Sequence, residues 1–181
     1  MLKFIYFCAI QSSLLPMIER AYNIIFWRIY SFLTGISKLI NGVNPFSWIL
    51  RIPVIKKFIL KRGGSIEQIE ETADDIRNDP ALGINIRFSS ITMLLASFLW
   101  LLEGEMFLAH YFQFKGSSLV TSCVFMADAI LVIAVHLLFI EHKDKYLKYF
   151  KKFQKRSYTW RMAWSVVSFL YVFIPILLIY L

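Results

Sequence analysis

The hydrophobic pattern is clearest at the end of the chain. Met162 to Leu181 contains no charged residue, and about twenty helical residues at roughly 1.5 Å each match a hydrocarbon core of about 30 Å. The pattern predicts a transmembrane helix over 162–181, with Trp160, Arg161 and Trp164 at one end and Tyr180 at the other as interfacial anchors. Pro175 lacks the amide that would bond the carbonyl near Tyr171, so that carbonyl is freed and a mild kink is expected.

Two more apolar runs precede this helix. Among Asp, Glu, Lys and Arg, Phe88 to Phe114 carries only Glu103 and Glu105, and Ser117 to Ile140 only Asp128. Each is long enough to span, which predicts helices over about 89–113 and 118–140 joined by a tight turn at Lys115 and Gly116. Between the second run and the last lies residues 141–161, where Lys143, Lys145, Lys148, Lys151, Lys152, Lys155, Arg156 and Arg161 face only Glu141 and Asp144. Tyr146, Phe150 and Phe153 recur there at helical spacing, so this segment reads as an amphipathic helix whose aromatic face meets lipid. The positive-inside rule assigns it to the cytoplasm and Leu181 to the outside.

The first half of the chain is striped instead of continuous. Tyr22 to Val43 is mostly apolar, but Arg28, Ser31, Gly35, Lys38 and Gly42 form one polar edge. Phe46 to Arg62 holds Trp48, Pro53 and the basic group Lys56, Lys57, Lys61 and Arg62. Both are expected as in-plane interfacial helices, with a fourth span within residues 4–43 as the alternative. Lys3 with Phe4 to Ile10 resembles a secretory signal, yet the run is short and no small-x-small site follows, so cleavage is not expected. Residues 64–88 are the polar stretch. Ser65 and Gln68 form a capping-box signal, Ile66, Ile69, Ala73 and Ile76 a narrow apolar stripe, and Glu67, Glu70, Glu71, Asp74 and Asp75 an acidic face. That helix is expected to end near Asn78, ahead of Pro80. The domain organisation is thus an amphipathic region over 1–63, an acidic helix and linker over 64–88, and a transmembrane region over 89–181.

Composition agrees with this pattern. Of 181 residues 58% are hydrophobic and only 18% charged, with a mean hydropathy of +0.59, more apolar than soluble domains and incompatible with disorder. The fold class is therefore all-α, a polytopic integral membrane protein. The net charge of +8 is read as topology and lipid recognition: Lys56, Lys57, Lys61, Arg62, Lys148, Lys151, Lys152, Lys155 and Arg156 are candidate headgroup-binding residues, and no nucleic-acid partner is expected. Cys8 and Cys123 cannot make a disulfide framework or a zinc site and are taken as reduced.

Charges inside the apolar runs carry the candidate chemistry. An ionisable group at mid-bilayer costs several kcal/mol and normally faces protein or water. A hairpin turning at Lys115 and Gly116 sets Glu103 opposite Asp128, and His110 opposite Thr121, with the acids roughly 18 Å from the turn. Trp100, Glu103, Phe107 and His110 would then form the seam with Thr121, Phe125, Asp128, Val132 and Val135, while Glu105 points away. Glu103, Glu105, Asp128, His110 and His136 are the intramembrane candidates, as interhelical hydrogen bonds, as the lining of a cation pathway, or as proton-relay steps.

Enzyme motifs are missing: the chain has no H-E-x-x-H, G-x-S-x-G, phosphate-binding Gly loop or C-x-x-C. Neither catalysis nor a cofactor or metal is expected. The sequence favours a homo-oligomeric channel or pore for cations or protons in a bacterial inner membrane. A non-conducting scaffold that docks a soluble cytoplasmic partner is the second reading, and a proton-coupled exchanger, lacking inverted repeats, the third. In size and composition alone the chain is similar to small multi-pass bacterial proteins that accompany secretion and phage-defence systems.

Overall fold

The computed structural model describes residues 2–41, 49–112 and 118–180, with side chains over 14–39, 49–112 and 120–180. The expected turn at Lys115 and Gly116, the stretch with Gly42, Val43, Phe46 and Trp48, the Cys8 side chain and Leu181 lie outside the described residues. Among the described residues the elements are helices: α1 (Leu2–Asn41), α2 (Pro53–Lys61), α3 (Ile66–Asn78), α4 (Ile84–Tyr111), α5 (Ser118–His136), α6 (Lys145–Gln154) and α7 (Tyr158–Leu178). Three helical runs, Ile84–Tyr111, Val120–Gln154 and Tyr158–Leu178, are long and apolar enough to cross a membrane. The chain is an all-α integral membrane protein.

Two compact units are present, one made of Met1–Ile29 with Ile91–Leu181, the other of Tyr30–Ser90. In the first unit the core is supplied by the segment that sequence periodicity makes peripheral. The expected in-plane helix over 22–43 is part of a continuous α1, and every residue from Tyr22 to Trp27 is buried. Phe26, 0% exposed, lies 5.8 Å from the His136 ring, 5.9 Å from Tyr146 and 5.7 Å from Phe150. Trp27 packs at 5.9 Å on Phe153 and 6.4 Å on Trp160.

The aromatic face of α6 therefore meets protein and not lipid. Tyr146, Phe150 and Phe153 are all buried, each side chain contributing roughly 1.5–3 kcal/mol by leaving water. The periodicity predicts this face correctly, but α1 is its occupant. Between α5 and α6 the chain makes a π-helical turn (Leu137–Glu141) and then reverses through Lys143 and Asp144, both at positive φ. The turn presents the Phe139 carbonyl to Asn23, whose Nδ2 donates to it at 3.0 Å.

The second unit is built around Asn85. Its side chain accepts from Ser37 at 3.0 Å and donates to Asn78 Oδ1 at 2.8 Å, while its carbonyl accepts from Ser89 at 2.6 Å. Helix α3 ends at Asn78 as Pro80 requires. Ser65 is its N-cap residue, but its hydroxyl bonds Glu67 and not the helix backbone, so the expected capping box does not form. Gly83 closes the α3–α4 turn. A Cβ there would sit 2.4 Å from the Asp79 carbonyl oxygen and 2.7 Å from that of Arg77.

Candidate functional site

Helix α4 uses two faces. Its Phe98 ring meets Phe125 edge-on at 4.8 Å, and Glu105, two turns later, shares that face. On α5, Asp128 lies one turn beyond Phe125. The two carboxyls consequently face one another across the α4–α5 seam, close enough for direct charge–charge interaction. This corrects the expected pairing of Asp128 with Glu103.

The cause lies on the opposite face of α4. Pro175 leaves the Tyr171 carbonyl without its helical donor, and Trp100 Nε1 donates to that oxygen at 2.9 Å. The Trp100 and Tyr171 rings lie 6.3 Å apart, tilted by 34°. Trp100 and its helical neighbour Glu103 are thus turned towards α7, which rotates Glu105 into the α5 seam. Asp128 is buried and its Oδ2 has no hydrogen-bond partner. The site is a pair of acidic side chains on neighbouring apolar helices, one of them buried with a free carboxylate oxygen.

A second polar array crosses the same unit. Tyr171 Oη lies 2.8 Å from Ser97 Oγ, which is 3.4 Å from Tyr22 Oη, which in turn is 3.3 Å from His136 Nδ1. Four helices contribute one group each. Ser97 already donates to the Met93 carbonyl at 2.7 Å, so it accepts from the tyrosines. Tyr22 then donates its one proton to Ser97 and accepts from the Nδ1–H tautomer of His136. His136 is 2% exposed and its Nε2 is without a partner.

Near the basic helix a third group clasps α1. Lys145 Nζ donates to Glu19 at 3.2 Å and Tyr149 Oη donates to the same carboxylate at 3.4 Å. Burial, and then the Glu19 charge, push the Tyr149 phenol above its ordinary value.

The remaining predicted residues are dispersed. Glu103 is half-buried and His110 exposed. Lys56, Lys57, Lys61 and Arg62 are exposed along α2, with Arg62 stacked on Phe58 at 4.4 Å. Lys148, Lys151, Lys152, Lys155 and Arg156 are exposed in and just after α6. Among the described residues no group of three or more His, Cys, Asp and Glu could hold a metal, and Cys123 is a free, exposed cysteine. Sequence reasoning gave the Tyr22, Ser97 and Tyr171 hydroxyls no role and set Trp100 in the α4–α5 seam instead of against α7. Their only signal was polar atoms inside apolar runs, which carries no information about partners. Compared with protein-family models, with curated proteins and with solved structures, the chain matches none.

Proposed function

We propose that this chain is a self-assembling subunit of a proton- or cation-conducting channel, with the basic segment 141–161 cytoplasmic and the C-terminus outside, in a bacterial inner membrane. One observation carries the reading: Glu105 and Asp128 meet inside the apolar runs with a buried carboxylate oxygen left over. Such a group is costly in hydrocarbon, and its typical use is to bind or pass a cation or proton. The Tyr171–Ser97–Tyr22–His136 array supports protons over larger cations, because hydroxyl and imidazole groups relay protons without opening a pore. Homo-oligomerisation follows from the same economy. Three spans bury little surface against one another, and copies would cover polar positions such as Glu103.

Reconstituted vesicles with an internal pH dye test this. Wild-type protein is expected to pass protons, and Glu105→Gln with Asp128→Asn to lower the flux about tenfold or more, equivalent to a barrier increase of roughly 1.4 kcal/mol. The oligomeric mass in mild detergent should stay unchanged. A monomeric wild type with tight vesicles removes the proposal.

A non-conducting scaffold is favoured by a different observation: α3 has no buried residue. Glu70 is engaged with Arg51 at 3.8 Å, so Glu71 and Asp75, both exposed, are the positions to reverse. Loss of a stoichiometric soluble partner on Glu71→Lys with Asp75→Lys would support that reading.

A further inference from the structure

Arg28 on α1 meets the first turns of α7 at Ser165, one turn beyond Arg161 on the same helix face. Arg28 Nη2 donates to Ser165 Oγ, and that hydroxyl donates to the Arg161 carbonyl at 2.9 Å. Burial, and then the neighbouring Arg161 charge, push the Arg28 guanidinium below its usual value. Each guanidinium offers five donors. The Nε of Arg28 and the Nε of Arg161 are both buried with no acceptor. Among the described residues the ion pairs are Arg51–Glu70, Arg77–Asp74 and Lys145–Glu19, so no carboxylate neutralises either arginine. The Trp27 ring under Arg28, 5.0 Å from the guanidinium carbon, supplies a cation–π contact but no hydrogen-bond acceptor.

Two like charges on facing helix surfaces, each with a buried, unbonded Nε, are unfavourable unless an anion joins them. The surroundings say which kind. Trp27, Trp160 and Trp164 form a run of ring contacts at 6.4 and 6.0 Å beside the pair, and tryptophan clusters of this sort mark the headgroup level of a bilayer. Planar guanidiniums bind tetrahedral oxyanions through paired N–H bonds, and the amino end of a 21-residue helix adds favourable potential. The exposed lysines of α6 are hydrated and have no comparable need.

We propose that Arg28 and Arg161 form a binding site for one phosphate group, carried by a membrane lipid or free in solution, at the basic end of the first unit. Arg161 clamps the phosphate from α7 and Arg28 from α1, so that the ligand ties the two helices together. This site does not depend on conduction.

Native mass spectrometry and thermal melting of the full-length protein in mild detergent test it, with phosphatidylglycerol, inorganic phosphate and uncharged diacylglycerol as probes. Wild type should retain phosphatidylglycerol through gentle activation and melt higher with it, whereas diacylglycerol should do neither. A matching shift with inorganic phosphate assigns the site to free phosphate; a shift with the lipid alone assigns it to the headgroup. Arg161→Gln and Arg28→Gln should each abolish retention, and Lys151→Gln with Lys152→Gln should leave it intact. Should Arg28→Gln fail to fold, Arg28→Lys, which keeps the charge but loses the planar fork, should still weaken retention. The proposal is overturned if wild type responds to neither phosphate probe, or if retention survives in both Arg161→Gln and Arg28→Lys.

Discussion

Trp100 and Pro175 depend on each other through a single oxygen. Proline removes the amide that would satisfy the Tyr171 carbonyl, and the indole of Trp100 replaces it at 2.9 Å. Trp100→Phe keeps an aromatic ring beside Tyr171 and deletes the donor, so it should cost about 1 kcal/mol, in the range of interhelical hydrogen bonds in membranes. Once Pro175→Ala returns the helix its own amide, that cost should largely vanish. Thermal melting of the two single variants and the double variant closes the cycle, and additivity would show that the bond contributes nothing. Gly83 is a different kind of constraint. The atoms a Cβ would meet are backbone carbonyl oxygens, which cannot rotate aside, so Gly83→Ala should destabilise the second unit by roughly 1–3 kcal/mol. Protease sensitivity of residues 61–90 before and after the substitution is a direct measure. The sequence exposes the proline, its freed carbonyl and the α3–α4 turn. It does not expose the indole, because nothing in local spacing says which of α4's faces meets α7.

Among the elements, legibility follows how many partners an assignment needs. Helices α4, α5 and α7 are recognisable from their own hydropathy, since a span's solvent is lipid. Helix α1 is not, because burial of Tyr22 through Trp27 on all sides depends on α5, α6 and α7 arriving around it. For α6 the apolar stripe is visible but its occupant is not. The same limit mispaired the acids: Glu103 and Glu105 lie about 200° apart around α4, so any error in the helix's rotation exchanges them. The burial of α6 on α1 has a measurable consequence. Phe153→Ala should cost on the order of 3 kcal/mol as a core truncation, whereas truncating exposed Lys151 should fall within about 0.5 kcal/mol of wild type. The clasp at Glu19 adds a pH signature. The Tyr149 phenol titrates above its ordinary value near 10, so its contribution is complete below about pH 10 and is lost as pH rises through the higher folded value. Tyr149→Phe should flatten that alkaline decline in melting temperature while leaving the neutral-pH region nearly level.

For the molecule as a whole, a net charge of +8 raises the question of how much of the basic character is a general attraction to anionic surface and how much is a built site. Exposed lysines near an anionic leaflet are worth about 1 kcal/mol each, and the effect decays within a Debye length of roughly 8 Å at physiological salt. Lys148, Lys151, Lys152 and Lys155 are of this exposed kind. Arg28 and Arg161, half-buried with enclosed Nε atoms, are screened much less by salt. Two salt dependences should therefore separate in one protein. In vesicles of increasing anionic fraction, the rise in melting temperature should shrink with added salt, and neutralising the four α6 lysines should remove most of that salt-sensitive part. The portion that persists at high salt should disappear with Arg161→Gln or Arg28→Gln and not with the lysine variant. If all the lipid-dependent stabilisation is screened together, or if the lysine variant abolishes both parts, the basic residues act as one diffuse field and no enclosed phosphate site exists.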